Sequence, residues 1–310
     1  MADQYPVPFT RILIIADIEG SSGCGSYLAS AFLTDEWARA CLAMSLDVDA
    51  VVRALFAAGA EQVTVKDFHR TGYNLLPELI DPRAVLVSGY RRGPVPGLGD
   101  PGSAEALMMT GMHAASGTDG FLPHTFSSRI ASLRVNGVLI PEAALFSASL
   151  APYGIRPVFF SGCPEACRQA SAAIPHIQTF AIDKSVPVHR FDAAGWREGL
   201  AAAAVRSLSN RSAGPCRMEG PFDAAVRMRK GIEAAHRIGS RWGISADRDT
   251  LRFHAPDFDR LYMTLIRICY LTPAVEKILP VGLFLFNLRG LLGRMWVRRR
   301  LKAEGRWPVG

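Results

Sequence analysis

Two acidic side chains, Asp17 and Glu19, directly follow the most apolar stretch near the start of the chain. Residues 11–16 read RILIIA, and this run of large aliphatic residues predicts a strand buried on both faces of a sheet. Open α/β sheets bind ligands outside the carboxyl ends of their strands, and carboxylate oxygens placed there are suitable ligands for a divalent metal ion. A single acid after an apolar run is common, so these two residues alone leave both a metal site and an ordinary strand end open.

Three further side chains that can bind metal occupy comparable positions. His69 follows the predicted strand 61–66, His113 closes another apolar segment, and Glu142 stands at a predicted helix start. The complete candidate set is two imidazoles and three carboxylates, namely Asp17, Glu19, His69, His113 and Glu142. This set suits two zinc ions that share a bridging carboxylate. Five such residues can also be selected by chance from seven histidines and 28 acids, so residue types alone do not decide. Beside this set, Asp67 is predicted to orient His69 or a metal-bound water, and Lys184 to form a structural ion pair with Asp183 or another acid.

The elements that must position these residues alternate between strand and helix. Thr34 is predicted to cap an amphipathic helix that ends near Gly59, so the next strand, 61–66, should run parallel to the first. The Asn136-Gly137 pair within residues 133–140 predicts a two-residue hairpin turn. We therefore predict an α/β fold with a mostly parallel, doubly wound sheet and a smaller α+β C-terminal lobe. The predicted segments are a metal-binding catalytic α/β domain at 1–213, a lobe completing the hydrolase fold at 214–271 and an apolar, basic arm at 272–310.

Charge and cysteine content restrict the class of protein. The net charge is +7, but the segment from Arg289 onward carries seven basic residues and one acid, so the rest of the chain is close to neutral. A nearly neutral body argues against nucleic acid as a partner. The six cysteines form no Cys-x-x-Cys pair, and the N-terminus lacks the apolar run of a secretory signal. Both features predict reduced thiols and a cytoplasmic protein.

The ordered motifs resemble those of the D-aminopeptidase family of dinuclear zinc metallopeptidases. The similarity extends from about Arg11 to Leu271, and no single motif within it is decisive. It rests on five segments in the expected order, which are Asp17-Ile18-Glu19-Gly20, Lys66-Asp67-Phe68-His69, Gly111-Met112-His113-Ala114, Pro123-His124-Thr125 and Pro141-Glu142.

This resemblance implies a function and a set of site residues. The five candidate ligands would hold two Zn²⁺ ions in each subunit, with Asp17 as the bridge, and His124 would be the catalytic residue. The implied reaction is the hydrolysis of N-terminal residues from short peptides, with His124 as general acid/base or nucleophile. The resemblance also implies a ring-type homo-oligomer, with a decamer as one such arrangement. Phe146 departs from the family type, which carries an asparagine there, so selectivity for D-residues does not follow from the family name.

The residues leave two alternatives to an aminopeptidase open. Dinuclear sites also hydrolyse phosphate esters, so a metallophosphoesterase is one alternative. The other is a non-catalytic, membrane-associated binding protein, because residues 278–306 combine an apolar run with Trp296 and a cluster of arginines. The run is too short to span a bilayer, so it predicts either peripheral membrane contact or packing on a neighbouring subunit.

Overall fold

A computed structural model describes residues 8–307 as a parallel sheet covered on both faces by helices, with a second, antiparallel sheet beside it. The parallel sheet has six strands in the order β3-β2-β1-β4-β7-β8. Its strands are β1 (Arg11–Ala16), β2 (Gln62–Asp67), β3 (Val85–Val87), β4 (Ala106–Met112), β7 (Arg156–Gly162) and β8 (Gln178–Ala181). The predicted fold class, an α/β fold with a smaller α+β part, is confirmed.

The first strand lies at the centre of this sheet because its side chains alternate between two hydrophobic clusters. Ile12 and Ile14 pack on one face, and Leu13 and Ile15 pack on the other. Strand β1 pairs in parallel with β2 on one side and with β4 on the other. Since these three strands are neighbours, the residues that come directly after each of them arrive at the same edge of the sheet.

Helices cover both faces, as the doubly wound prediction requires. The predicted helix after Thr34 is α2, and the Thr34 hydroxyl caps it by accepting a hydrogen bond from the Trp37 backbone N–H at 3.0 Å. The helices of this part of the chain are α1 (Tyr27–Ser30), α2 (Asp35–Ala57), α3 (Glu142–Leu150), α4 (Pro164–Ala173) and α5 (Ala193–Ser207). Helix α4 was not predicted, because its ten residues include no large aliphatic or aromatic side chain.

The second sheet has five strands in the order β10-β11-β9-β5-β6. Its strands are β5 (Ile130–Val135), β6 (Val138–Leu139), β9 (Phe222–Met228), β10 (Ser245–Asp247) and β11 (Thr250–Ala255). The predicted hairpin is present as β5 and β6, with Asn136 and Gly137 both at positive φ. Because β5 pairs with β9, this sheet combines segments from both sides of the predicted boundary at residues 213/214. The remaining helices are α6 (Gly231–Trp242), α7 (Phe258–Tyr270), α8 (Pro273–Lys277) and α9 (Leu279–Ala303).

The C-terminal arm is mainly the long helix α9, and its second half packs on the body of the same chain. Val297 and Leu301 are fully buried in the cluster that contains α2. Trp296 stacks on Trp37 with ring centroids 6.1 Å apart, and Arg298 pairs with Glu78. Residues 284–295 of α9 leave several large apolar side chains exposed, including Phe284, Leu285, Leu288, Leu291, Leu292 and Met295. Within residues 8–307, no helix combines the length and apolar character needed to cross a bilayer.

Candidate metal centre

The five predicted ligands converge at the carboxyl edge of the parallel sheet. Asp17 and Glu19 leave the end of β1, His69 follows β2 by two residues, and His113 directly follows β4. Glu142 is the first residue of α3 and approaches from the side of the second sheet. All five side chains are buried. The structure therefore brings together every residue that the sequence predicts as a ligand.

Main-chain contact between two segments sets the spacing of the site. The Gly20 N–H donates to the Gly111 carbonyl at 2.7 Å, and the Asp17 N–H donates to the Thr110 carbonyl at 2.9 Å. A Cβ atom at Gly111 would lie 2.1 Å from the Asp17 carbonyl oxygen, and φ at Gly111 is +71°. A side chain at Gly20 would lie 2.2 Å from the Met112 carbonyl oxygen. Glycine is therefore required at both positions for the acids to approach His113.

The ring of His69 is held with one nitrogen toward the acids. Its Nε2 lies 2.9 Å from the Ser30 carbonyl oxygen, which can only accept, so Nε2 carries the proton. The opposite atom, Nδ1, lies 3.0 Å from Asp17 Oδ1 and 2.9 Å from Glu19 Oε2. In the neutral ring, Nδ1 carries a lone pair that faces two carboxylates. A cation bound between these groups would stabilise this arrangement.

His113 repeats this arrangement from the other side. Its Nδ1 lies 3.0 Å from the Ala114 carbonyl oxygen, so Nδ1 is the donor in the neutral ring. Its Nε2 lies 3.5 Å from Asp17 Oδ2 and 3.7 Å from Glu142 Oε1 and makes no hydrogen bond. Asp17 therefore presents one oxygen to each histidine. A carboxylate shared in this way matches the bridge of a dinuclear site.

The donor set fits zinc on chemical grounds. Imidazole nitrogens and carboxylate oxygens are ordinary zinc ligands, and each histidine is oriented through its other nitrogen by a backbone carbonyl, as metal-binding histidines commonly are. The Glu19 Oε2 and His113 Nε2 atoms are buried without a hydrogen-bond partner. Buried polar atoms of this kind are costly unless a further group satisfies them. Two groups of three potential ligands lie within 4.8 Å, namely Asp17, Glu19 and His113, and His113, His124 and Glu142.

The charged groups of this cluster shift one another's pKa values. Burial raises the pKa of Asp17 to about 7, and the neighbouring Glu19 carboxylate adds to this effect. Burial alone would lower the pKa of His69, but the Glu19 and Asp17 carboxylates outweigh it and raise the pKa to about 10. Burial would likewise raise the pKa of Glu19, but the charge of His69 lowers it. Protons held by histidine therefore offset the negative charge of the acids in this cluster.

His124, the predicted catalytic residue, lies over the ring of His113. The two imidazoles are stacked with centroids 3.7 Å apart and an angle of 11° between their planes. The Nδ1 atom of His124 lies 2.9 Å from the Leu122 carbonyl oxygen, which fixes Nδ1 as the donor and leaves Nε2 free in the neutral ring. Burial, together with the charge of His113, lowers the pKa of His124. A neutral imidazole with a free nitrogen at pH 7 can act as a base.

Two supporting residues hold backbone segments of the site. Lys184 was expected to pair with an acid, but its ammonium donates to the carbonyls of Ser21 and Cys24 and so holds the loop that follows Glu19. Asp67 was expected to orient His69 or a bound water. Its carboxylate accepts a hydrogen bond from the His69 N–H at 3.4 Å, and further ones from the backbone of the following loop and from the side chain of Asn74.

Sequence reasoning missed the support given by Ser30 and the charged rim of the pocket. The Ser30 carbonyl that orients His69 is a backbone atom, so residue type gives no signal for it. The cluster opens into a cavity of about 840 Å³, whose mouth carries the basic side chains Arg70, Arg129, Arg229, Lys230 and Arg289. These five residues come from four separate elements of the chain. Their proximity could be found only from the tertiary structure.

Comparisons with known proteins identify the family of this chain. A family model described as D-aminopeptidase matches residues 10–266. The D-aminopeptidase of Bacillus subtilis (strain 168) is 24% identical over 178 residues, which is 57% of this chain and 64% of that protein. The matched stretch is thus less than two thirds of that relative's length.

A solved structure has the same fold. It is the Zn-dependent D-aminopeptidase DppA from Bacillus subtilis, described as a self-compartmentalizing protease. The two structures superpose with a TM-score of 0.75 at 21% identity, covering 83% of this chain and 96% of the other. Because the family model matches residues 10–266, well over half of the sequence, the chain belongs to the D-aminopeptidase family.

Proposed function

We propose that this protein is a zinc-dependent aminopeptidase that removes N-terminal residues from short peptides. The observation that supports it most is the orientation of His69 and His113. In each ring, one nitrogen donates a hydrogen bond to a backbone carbonyl, and the other nitrogen faces the shared Asp17 carboxylate. The family membership supports amide hydrolysis as the reaction.

Two zinc ions are proposed for this site. Asp17, Glu19 and His69 would hold one ion, and Asp17, His113 and Glu142 would hold the other, so that Asp17 bridges them. Bound zinc supplies Lewis acidity, which activates water and polarises the scissile carbonyl. The relative DppA is described as zinc-dependent, which agrees with this donor set.

The protein's own residues would orient the substrate and move the proton. His124 accepts a proton at Nε2 and later delivers it to the departing amine, since its Nδ1 is already committed to Leu122. The Glu142 carboxylate accepts a hydrogen bond from the Phe126 N–H, which ties the loop containing His124 to the start of α3. The apolar ring of Phe146 lines the same cavity, next to Phe68.

The experiment combines metal analysis with peptide hydrolysis. We expect the purified protein to contain zinc and to cleave alanine anilides or dipeptides, tested with D-Ala and with L-Ala to determine the stereoselectivity. A chelator should abolish activity and added zinc should restore it. A protein that neither retains zinc nor cleaves amides after zinc addition would contradict the proposal. Cleavage of nitrophenyl phosphate instead would favour a metallophosphoesterase.

The assembly and location are separate proposals. The description of DppA as self-compartmentalizing supports a homo-oligomer of ring type, and the exposed apolar face of α9 offers surface for such contacts. Light scattering of the full chain measures the number of subunits, and a decamer would give ten. The six cysteines are all free thiols, in keeping with the predicted cytoplasmic location.

Peripheral membrane contact through residues 278–306 stays a prediction. Three of the arginines that suggested it are engaged by the body of the chain, since Arg298 pairs with Glu78, Arg300 pairs with Asp35, and Arg294 donates to Ser88. Flotation with anionic vesicles tests the prediction. If the full chain does not float with the vesicles, the prediction of membrane contact is wrong.

A further inference from the structure

Helix α9 forms part of the mouth of the catalytic cavity, although residues 279–303 lie outside the segment that the family model matches. Asn287 fixes the helix there with two hydrogen bonds to the backbone of Tyr90, one from the Tyr90 N–H at 2.9 Å and one to its carbonyl at 3.0 Å. Gly290 packs so closely on Tyr73 that a Cβ atom would lie 2.3 Å from its ring. The side chains of Phe286 and Arg289 therefore have a defined position at the cavity.

Arg289 presents an uncommitted charge to this cavity. Its guanidinium lies over the ring of Phe32, 4.9 Å from the centroid, a stacking that restricts its orientation while leaving its N–H groups free. Among residues 8–307, its side chain makes neither an ion pair nor a hydrogen bond. Two other rim arginines are engaged, because Arg70 donates to the Ser30 carbonyl and Arg229 donates to the Ser128 carbonyl.

The cavity is polarised between floor and rim. Its floor holds the carboxylates of Asp17, Glu19 and Glu142, while its rim holds five basic side chains without a carboxylate partner in the described part of the chain. A short peptide whose first bond is cleaved at the floor would extend toward the rim and carry a carboxylate at its far end. Arginine is suited to that carboxylate, because its planar fork can bind it through two parallel hydrogen bonds.

We propose that Arg289 binds the C-terminal carboxylate of the peptide substrate and so selects short peptides with a free C-terminus. This inference rests on the proposed peptidase function for the nature of the ligand. It assigns substrate selection to a helix that the family segment does not include. Arg289 is a binding residue in this scheme and takes no part in bond cleavage.

The test compares alanyl-alanine with its C-terminal amide on the zinc-loaded protein. We expect the unaltered protein to prefer the free acid, and Arg289→Met to weaken its binding by about 10- to 100-fold, the usual range for a lost hydrogen bond to a charged group. Binding of the amide should be unchanged. Arg289→Lys keeps the charge but loses the planar guanidinium. Its affinity for the free acid should lie between those of the unaltered protein and Arg289→Met. Arg299→Met is the matched control, since Arg299 is exposed on the same helix and does not line the cavity.

Calorimetric binding and hydrolysis rates together separate this inference from the proposed function. In kinetics, Arg289→Met should raise KM for the free acid with little change in kcat, and leave alanine anilide cleavage unchanged. If the protein cleaves nothing, the proposed function fails, and calorimetry still shows whether Arg289 recognises a carboxylate. Equal affinity of the unaltered protein for acid and amide would overturn the inference. So would an Arg289→Met variant that keeps the preference, or one that loses affinity for both ligands equally.

Discussion

The imidazole of His124 stacks on that of His113, with 3.7 Å between ring centroids and planes only 11° apart. Each ring donates its Nδ1 proton to a main-chain carbonyl, that of Leu122 or Ala114. The free nitrogens of both rings are therefore Nε2. His113 directs its Nε2 at the carboxylates, while the lowered pKa of His124 keeps the second ring neutral above it. Two histidines eleven positions apart thus have different expected roles.

Replacing His124 tests the division of roles. We expect His124→Gln to lower kcat about 10²- to 10⁴-fold, the range lost with a general acid or base, while zinc content stays unchanged. His189→Gln is the control, because His189 is an exposed histidine outside the cavity. Steady-state kinetics and metal analysis of the same samples provide the check. A His124→Gln variant that loses zinc would make His124 a ligand instead of a proton carrier.

Asp17 should matter more for metal binding than any other acid in the cluster. Its two oxygens face different histidines, at 3.0 Å from His69 and 3.5 Å from His113, so both of the proposed ions would depend on it. We expect Asp17→Ala to lose both zinc ions on dialysis and Glu142→Ala to lose one. Asp183→Ala, an exposed acid, should keep both. Elemental analysis after dialysis measures this, and equal loss in the Asp17 and Glu142 variants would argue against a bridging role.

The sequence predicts the ligands better than it predicts their supports. Asp17, Glu19 and His113 can be identified because each comes after an apolar strand, and neighbouring parallel strands end at one edge of the sheet. The Ser30 carbonyl and the hydrogen bonds of Lys184 could not be identified, because they involve backbone atoms whose position depends on the tertiary fold. Lys184 was assigned an acidic partner since residue types indicate charge pairing and say nothing about carbonyls.

Arg197 on α5 should stabilise the loop after Glu19 through the buried carboxylate of Asp47. Asp47 accepts hydrogen bonds from the Ser22 N–H and hydroxyl, each at 2.7 Å, and Arg197 Nε donates to it at 2.7 Å. Removing one partner of such a buried pair leaves an uncompensated charge, so Arg197→Met should lower the free energy of unfolding by about 3 kcal/mol. Urea unfolding measures this. Arg206→Met, an exposed arginine on the same helix, should change it by less than about 0.5 kcal/mol.

The same pair predicts a pH dependence. Burial raises the pKa of Asp47 even with Arg197 present, and loss of Arg197 should raise it further. An acid whose pKa is higher in the folded state than in the unfolded state binds more protons when the protein is folded. Stability therefore falls as the pH rises from the unfolded-state pKa to the folded-state pKa. The loss of unfolding free energy caused by Arg197→Met should therefore be larger at pH 7 than at pH 4. A deficit that grows toward acidic pH would contradict this account.

Asn287 should determine how firmly α9 is attached beside the cavity. Asn287→Ala removes the two hydrogen bonds to the Tyr90 backbone, which should cost about 1–3 kcal/mol in the free energy of unfolding. Leu288→Ala, the exposed neighbour, should cost less than about 0.5 kcal/mol. Chemical denaturation of both variants gives the comparison. If both variants lose the same unfolding free energy, the contact between Asn287 and Tyr90 contributes little to stability.

The fold was predictable where periodicity is strong and less so elsewhere. Strand β1, helix α2 and the Asn136-Gly137 hairpin were each predicted and are confirmed. Sequence alone could not show that the hairpin joins the second sheet, because pairing between β5 and β9 links residues about 90 positions apart. Sequence alone also did not show that the second half of α9 packs on the body of the same chain. Val297 and Leu301 belong to the chain's own core.

The glycines at positions 20 and 111 bear on how the candidate centre responds to heat. Because main chain lies against main chain there, contact between backbone atoms sets the distance between the acids after β1 and the histidine after β4. We expect this distance to change little on warming, and the ligands to be in position before any zinc binds. One methyl group at either position would overlap the facing carbonyl oxygen and force the two strand ends apart.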